Sequence, residues 1–112
     1  MDTIDFGDFL KVDIRVGRIA RAENFPKARN PAYKLWIDFG PEVGEKKTSA
    51  QLTRNYTLEE LAGRQVVAVV NFPPKQVADF MSEVLVLGVP DEAGEVVLLQ
   101  PSREAPLGGR MY

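Results

Sequence analysis

The 112-residue chain has no cysteine and no histidine. Without cysteine there is no disulfide framework and no thiolate; without histidine the commonest general base and the commonest zinc ligand are missing. No G-x-S-x-G element, Gly-rich phosphate loop or metal-ligand cluster occurs, and no serine or lysine has a histidine to activate it, so catalysis is not expected and no cofactor is implied. No apolar run approaches the roughly 20 residues that span a bilayer, and MDTIDFGDFL lacks the layout of a signal peptide. These absences predict a cytoplasmic chain with no membrane insertion, and its length fits a single domain over residues 1–112.

Charge is present but unevenly placed. The formal net charge is −2, yet Lys11 to Arg54 holds ten basic residues against five acidic ones, and beyond Lys75 two arginines face six carboxylates. This division is compatible with one basic and one acidic face, and equally with solvated charges scattered over a surface.

The apolar pattern centres on Arg64 to Pro90, RQVVAVVNFPPKQVADFMSEVLVLGVP, where Val66–Val70 and Val84–Leu87 read as strands flanking a polar, proline-bearing loop from Asn71 to Ser82. Ahead of it, Ile4 to Leu10 predicts a helical turn or a packed arm. In Val12 to Ala22 the apolar parity flips around Gly17, which predicts a bulge or sharp bend there. Glu23 to Pro31 is a loop with a basic edge. Tyr33 to Phe39 alternates, with Tyr33, Leu35, Ile37 and Phe39 inward and Lys34, Trp36 and Asp38 outward; the outward tryptophan is either a stacking platform for a base or is covered by a neighbouring loop or subunit. Gly40 to Glu45 is a turn and Lys46 to Leu52 a polar returning strand. Thr57-Leu58-Glu59-Glu60 is a capping box that starts a short helix stopped at Gly63.

After the central stretch, Val96–Leu99 is one more apolar strand. Strand, strand, strand, short helix, strand, strand is the layout of an all-β OB-fold, a five-stranded Greek-key barrel with its helix between strands three and four, here with N- and C-terminal extensions. A small sandwich is the alternative. Three strands apolar at successive positions leave an outer barrel surface to be covered, which predicts a homodimer. Fold analogy alone also leaves sugar binding open.

The segments DFLKVDIRVGRI (Asp8–Ile19), FPKARNPAYKLWIDFG (Phe25–Gly40), TSAQLT (Thr48–Thr53), GRQVVAVVNFPPKQ (Gly63–Gln76), SEVLVLG (Ser82–Gly88) and the closing PLGGRMY resemble the CsaA-type export-related chaperones of the tRNA-binding-domain family. The resemblance covers nearly the whole chain. Relatives in that wider family include appended domains of methionyl-tRNA synthetases, endothelial-monocyte-activating polypeptides and free-standing tRNA-binding proteins. It implies an OB-fold homodimer that binds tRNA by shape, with a second role in holding unfolded export precursors.

Carried onto this chain, the implied tRNA surface is Lys34, Lys46, Lys47, Gln51, Arg54, Asn71, Lys75 and Ser82, a set of spaced cations with hydroxyl and amide groups suited to phosphates and 2′-hydroxyls. Ser82 and Glu83 match the family's serine corner, where a hydroxyl is expected near phosphate or ribose. The loop after Asn71 departs from the free-standing binders in being apolar, with Asp79 acidic. Phe72, Pro73, Pro74 and Phe80, with Val77 and Met81, are therefore the candidates for contact with unfolded polypeptide, unless they seal a dimer interface or cap the barrel end.

Overall fold

A computed structural model describes residues 1–112. Its elements are α1 (Phe6–Leu10), β1 (Ile14–Asn24), β2 (Tyr33–Asp38), α2 (Gly40–Val43), β3 (Glu45–Ala50), α3 (Leu58–Leu61), β4 (Gln65–Val69), β5 (Lys75–Val77), β6 (Phe80–Ser82), β7 (Leu85–Val86), β8 (Gly88–Pro90) and β9 (Val96–Leu98). No helix is long and apolar enough to cross a membrane.

Five antiparallel strands, in the order β3-β2-β1-β4-β7, curl into a nearly closed barrel. This is the expected OB-fold, with α3 between the third and fourth strands. The alternation of β2 is the reason a barrel forms here: Tyr33, Leu35, Ile37 and Phe39 are all buried, and they meet Ile19, Leu61, Val66 and Ala68 in one core. β4 lies between β1 and β7, with Val66 and Ala68 in the core and Val69 buried on the opposite face. The capping box forms as its sequence predicts: Thr57 Oγ1 accepts from the Glu60 amide at 3.2 Å, and Glu60 Oε1 accepts from the Thr57 amide at 3.0 Å. Hydrogen bonds from the Thr57 amide, and then from its hydroxyl, hold the Glu60 carboxyl below the usual carboxylate range.

The barrel's seam, between β3 and β7, is closed mainly by the segment that leads into β7. The Glu83 amide donates to Lys47 O at 2.8 Å, Glu83 Oε1 accepts from the Lys47 amide at 2.9 Å, and Thr48 Oγ1 donates to Val84 O at 2.7 Å. Thr48 is 1% exposed, and these bonds explain how a hydroxyl is tolerated at that depth.

Several expectations are corrected. β1 pairs with β4 without a slip from Ile14 to Arg18; its register break, against β2, lies between Ile19 and Arg21. Gly17 serves a different purpose, since a Cβ there would sit 2.5 Å from Ile37 Cγ2 and 2.7 Å from the Phe39 ring, so β1 crosses the core too closely for any side chain. The apparent parity flip arises because β1 is covered on both faces at this end, Ile14 on one and Ile19 on the other.

Asn71 to Ser82 is not a loop throughout. It holds a hairpin, β5 against β6, turning at Ala78 with φ of +53°. The second apolar run shortens to the two residues of β7, and Leu85 is 49% exposed. β9 pairs with β8 in a separate hairpin rather than joining the barrel. Gly40 to Val43 makes one helical turn. In α1 a helical turn forms, but nothing in the chain buries it, so Ile4, Phe6 and Leu10 stay exposed.

The closing segment pairs with the start of β1. Gly108 N donates to Val16 O, Val16 N to Gly109 O, and Met111 N to Ile14 O, at 2.8 to 3.0 Å. Arg15 clamps this join, with Nε on Asp13 Oδ1 at 2.6 Å and Nη1 on Gly108 O at 2.9 Å. The Arg15 guanidinium holds the Asp13 carboxyl below the usual carboxylate range.

Candidate RNA-binding face

The outward residues of β1, β2 and β3 fall into cross-strand rows. Arg21 is in register with Trp36, and Trp36 with Lys47; in the next row Glu23 meets Lys34, and Lys34 meets Ser49. Arg21 reaches the outer face because the break after Ile19 changes the parity of β1, which leaves Ala22 opposite inward Leu35.

A second, small apolar cluster lies over this face. Phe25 and Ala32, from the segment after β1, pack with Phe80 of β6, and Trp36 joins from below. The Phe80 ring meets Phe25 edge-on at 5.5 Å and Trp36 at 5.9 Å. Cations lie on these rings: Arg21 Cζ is 3.8 Å from the Trp36 ring, Lys34 Nζ is 4.9 Å from Phe25 and 5.2 Å from Phe80, and Lys47 Nζ is 5.0 Å from Phe80. Attraction to a ring face holds each charge near the surface while its stem stays packed. Trp36 is thus covered by neighbouring side chains and is not an open stacking platform.

The β5–β6 hairpin that supplies Phe80 is anchored at both ends. At its tip Lys27 Nζ bonds Asp79 Oδ2 at 2.9 Å, which raises the Lys27 pKa and lowers that of Asp79. At its base Ser82 Oγ lies 2.7 Å from Thr48 Oγ1 and accepts from the Ser49 amide at 3.2 Å. Thr48 spends its proton on Val84 O, so the proton between the two hydroxyls comes from Ser82.

The structure brings Lys34 and Lys47 together on one face and sets other expected residues apart from them. Lys46 is in register with inward Ile37, on the opposite parity from Lys47. Asn71 has both amide atoms engaged: Oδ1 accepts from the Asp13 amide at 2.9 Å and Nδ2 donates to Lys11 O at 2.8 Å. It fastens the end of β4 to the start of β1. Arg54 is exposed on the turn after β3, while Gln51 and Lys75 are exposed beside half-buried Ser82 along a groove beyond the seam.

Among the residues expected to touch polypeptide, Phe72, Pro73 and Pro74 are exposed, but Phe80 is 6% exposed, its ring enclosed by Phe25, Trp36 and two lysines. Its expected role as an apolar surface contact is therefore corrected. Arg21 is the residue that sequence reading missed. Its signal, the shift in β1, was visible but placed three residues early.

Comparison with known proteins adds four findings. A family model described as "Putative tRNA binding domain" matches residues 14–110. The chain is similar to the structure of the chaperone CsaA from Bacillus anthracis, at 56% identity and a TM-score of 0.93 over 99% of this chain and 100% of that one. It is also similar to the CsaA chaperone structure from Picrophilus torridus, at 50% identity and a TM-score of 0.91 over 98% of this chain and 100% of that one. Methionine–tRNA ligase of Methanococcus aeolicus is 36% identical over 108 residues, 96% of this chain. That alignment takes in 15% of the ligase, and the chain spans a similarly small part, 14–17%, of the other ligases it matches.

Proposed function

The chain belongs to the tRNA-binding-domain family, and from that premise we propose that it binds structured RNA of the tRNA class through the outer face of β1, β2 and β3, without catalysis. The observation that carries the reading is the placement of Arg21, Lys34 and Lys47, each on an aromatic ring of that face. Duplex RNA is contacted mainly through phosphates and 2′-hydroxyls, so fixed, spaced cations suit it better than a base-reading code. Lys75 and Arg54 extend the basic surface, and Ser82 contributes by holding the hairpin in place.

The test is fluorescence anisotropy of labelled tRNA at about 50 and 200 mM salt, comparing the wild type with a Lys34→Ala/Lys47→Ala variant. The expected result is steeply salt-dependent binding whose slope falls by about one to two units in the variant, which stays folded with a stability loss of about 1–2 kcal/mol as the Phe25 and Phe80 rings lose their cations. An unchanged slope would sink the assignment of the face.

A second activity, holding unfolded export precursors in the cytoplasm, is favoured by the likeness to two chaperone structures and by the apolar surface left open. Leu85, Val89, Val97 and Leu99 are 39–49% exposed, and Val89 and Val97 are paired in register. In this reading a second copy of the chain covers that strip, and Phe72, Pro73 and Pro74 meet the polypeptide. Sedimentation should give a dimer that Val97→Lys converts to monomer; a monomeric wild type at micromolar concentration would refute the assembly.

A further inference from the structure

Past Thr48 and Val84 the two sides of the barrel seam part, opening a groove of about 840 Å³ between the segment after β1 and the β5–β6 hairpin. That volume lies in the range of about 300–1,000 Å³ typical of small-molecule sites. Its chemistry is one-sided. The floor is aliphatic, formed by Val77, Val84 and Leu98, and the last two belong to the barrel core. Arg29 stands on one wall and Lys75 on the other, and no aspartate or glutamate lines the groove. Neither cation takes part in an ion pair within the chain. Ser82, with its proton committed to Thr48, offers the groove an acceptor.

An occupant that satisfies all of this has a flat apolar part, negative charge at two points, and an N–H or O–H to donate. The groove also shares Ser49 with the outer face, where Ser49 is in register with Lys34, so RNA on that face passes its mouth. We propose that the groove takes one unpaired nucleotide of the bound RNA, its base against the aliphatic floor and its flanking phosphates at Arg29 and Lys75. Flipped bases are held in this way, between apolar walls with polar groups at their edges. The proposal rests on the RNA reading above and adds to it a contact that reads an unstacked base.

The probe is a single-stranded ribotrinucleotide, compared with one of equal charge whose central residue is abasic. Both are titrated into the ¹⁵N-labelled protein and followed through its amide resonances. The intact trinucleotide should bind about tenfold more tightly, a gain within reach of burying one base against aliphatic side chains, and should shift the amides of Ser49, Ser82 and Leu98. Arg29→Glu should weaken both trinucleotides several-fold, through the lost phosphate contact, while the protein's thermal transition is retained. Equal affinity for the two probes, or shifts confined to the outer face around Lys34, would overturn the groove assignment. Binding of an apolar, acidic peptide at these amides with none of the trinucleotide would also overturn it, in favour of a polypeptide site. Because tRNA anisotropy is measured separately, loss of the base preference with tRNA binding intact sinks this proposal alone, whereas failure of tRNA to bind sinks the reading beneath it.

Discussion

The molecule has two apolar clusters, and they are sealed in different ways. The barrel core, eleven buried residues, is closed off by its own strands and by α3. The cluster of Phe25, Ala32 and Phe80 is closed on its solvent side by the lysines that the outer face presents. In the first, packing is independent of surface charge. In the second, packing and the position of charge are one property, so a nearly buried ring helps set where a cation stands.

The comparison breaks first at the core. Phe39→Ala removes a fully buried ring and should cost about 3–5 kcal/mol in chemical denaturation, with the salt slope of RNA binding unchanged in the folded fraction. Phe80→Ala should cost about 2–3 kcal/mol because its site lies at the surface and relaxes more easily. Unlike the core variant, it should also weaken tRNA binding several-fold at an unchanged salt slope, since the lysines persist without their support. Phe80→Leu sharpens the distinction: it restores most of the stability and little of the affinity, and wild-type affinity in that variant would mean the rings do not place the cations.

Asp13 offers a comparison by pH. Its carboxyl is held down by Arg15, so the unfolded chain takes up its proton first as pH falls. The stability this confers is complete above the ordinary carboxylate value of about 3.9 and is lost as pH drops through the lower folded value. Asp13→Asn should therefore be destabilised at neutral pH, with the difference from wild type closing under acid; a constant difference across the titration would show that the ion pair is not its source. The smallest effect expected is at the hairpin tip, where Ala78→Gly should relieve the left-handed φ of +53° and raise the melting transition by the equivalent of a few tenths of a kcal/mol.

What was legible in the sequence followed periodicity and local chemistry. The alternation of β2, the Thr57–Glu60 capping box and the apolar β4 each carry their own signal, and together with the family resemblance they led to the barrel. The β5–β6 hairpin was hidden because strands of three residues are too short to show alternation, and Pro73, Pro74 and Asp79 read as loop. Asn71 and Phe80 were misread for the same physical reason. Their polarity and apolarity suit a binding surface, but their partners, Asp13 and Lys11 for one, Phe25 and Trp36 for the other, lie 44 to 60 positions away in the chain. Arg21 depended on the location of a one-residue slip, which decides which face every later side chain occupies.

The join between the closing segment and β1 bears on how the barrel is made. Arg15 and Gly108 are separated by 93 positions, so the upper edge of the first strand stays without a partner until nearly all of the described chain has been synthesised. Contacts of that span pay their loop-closure entropy late and slow the search for the native state. During that interval an open strand edge is exposed to pairing with other chains. A protein proposed to hold unfolded polypeptides thus passes, in its own biogenesis, through a state that resembles its clients.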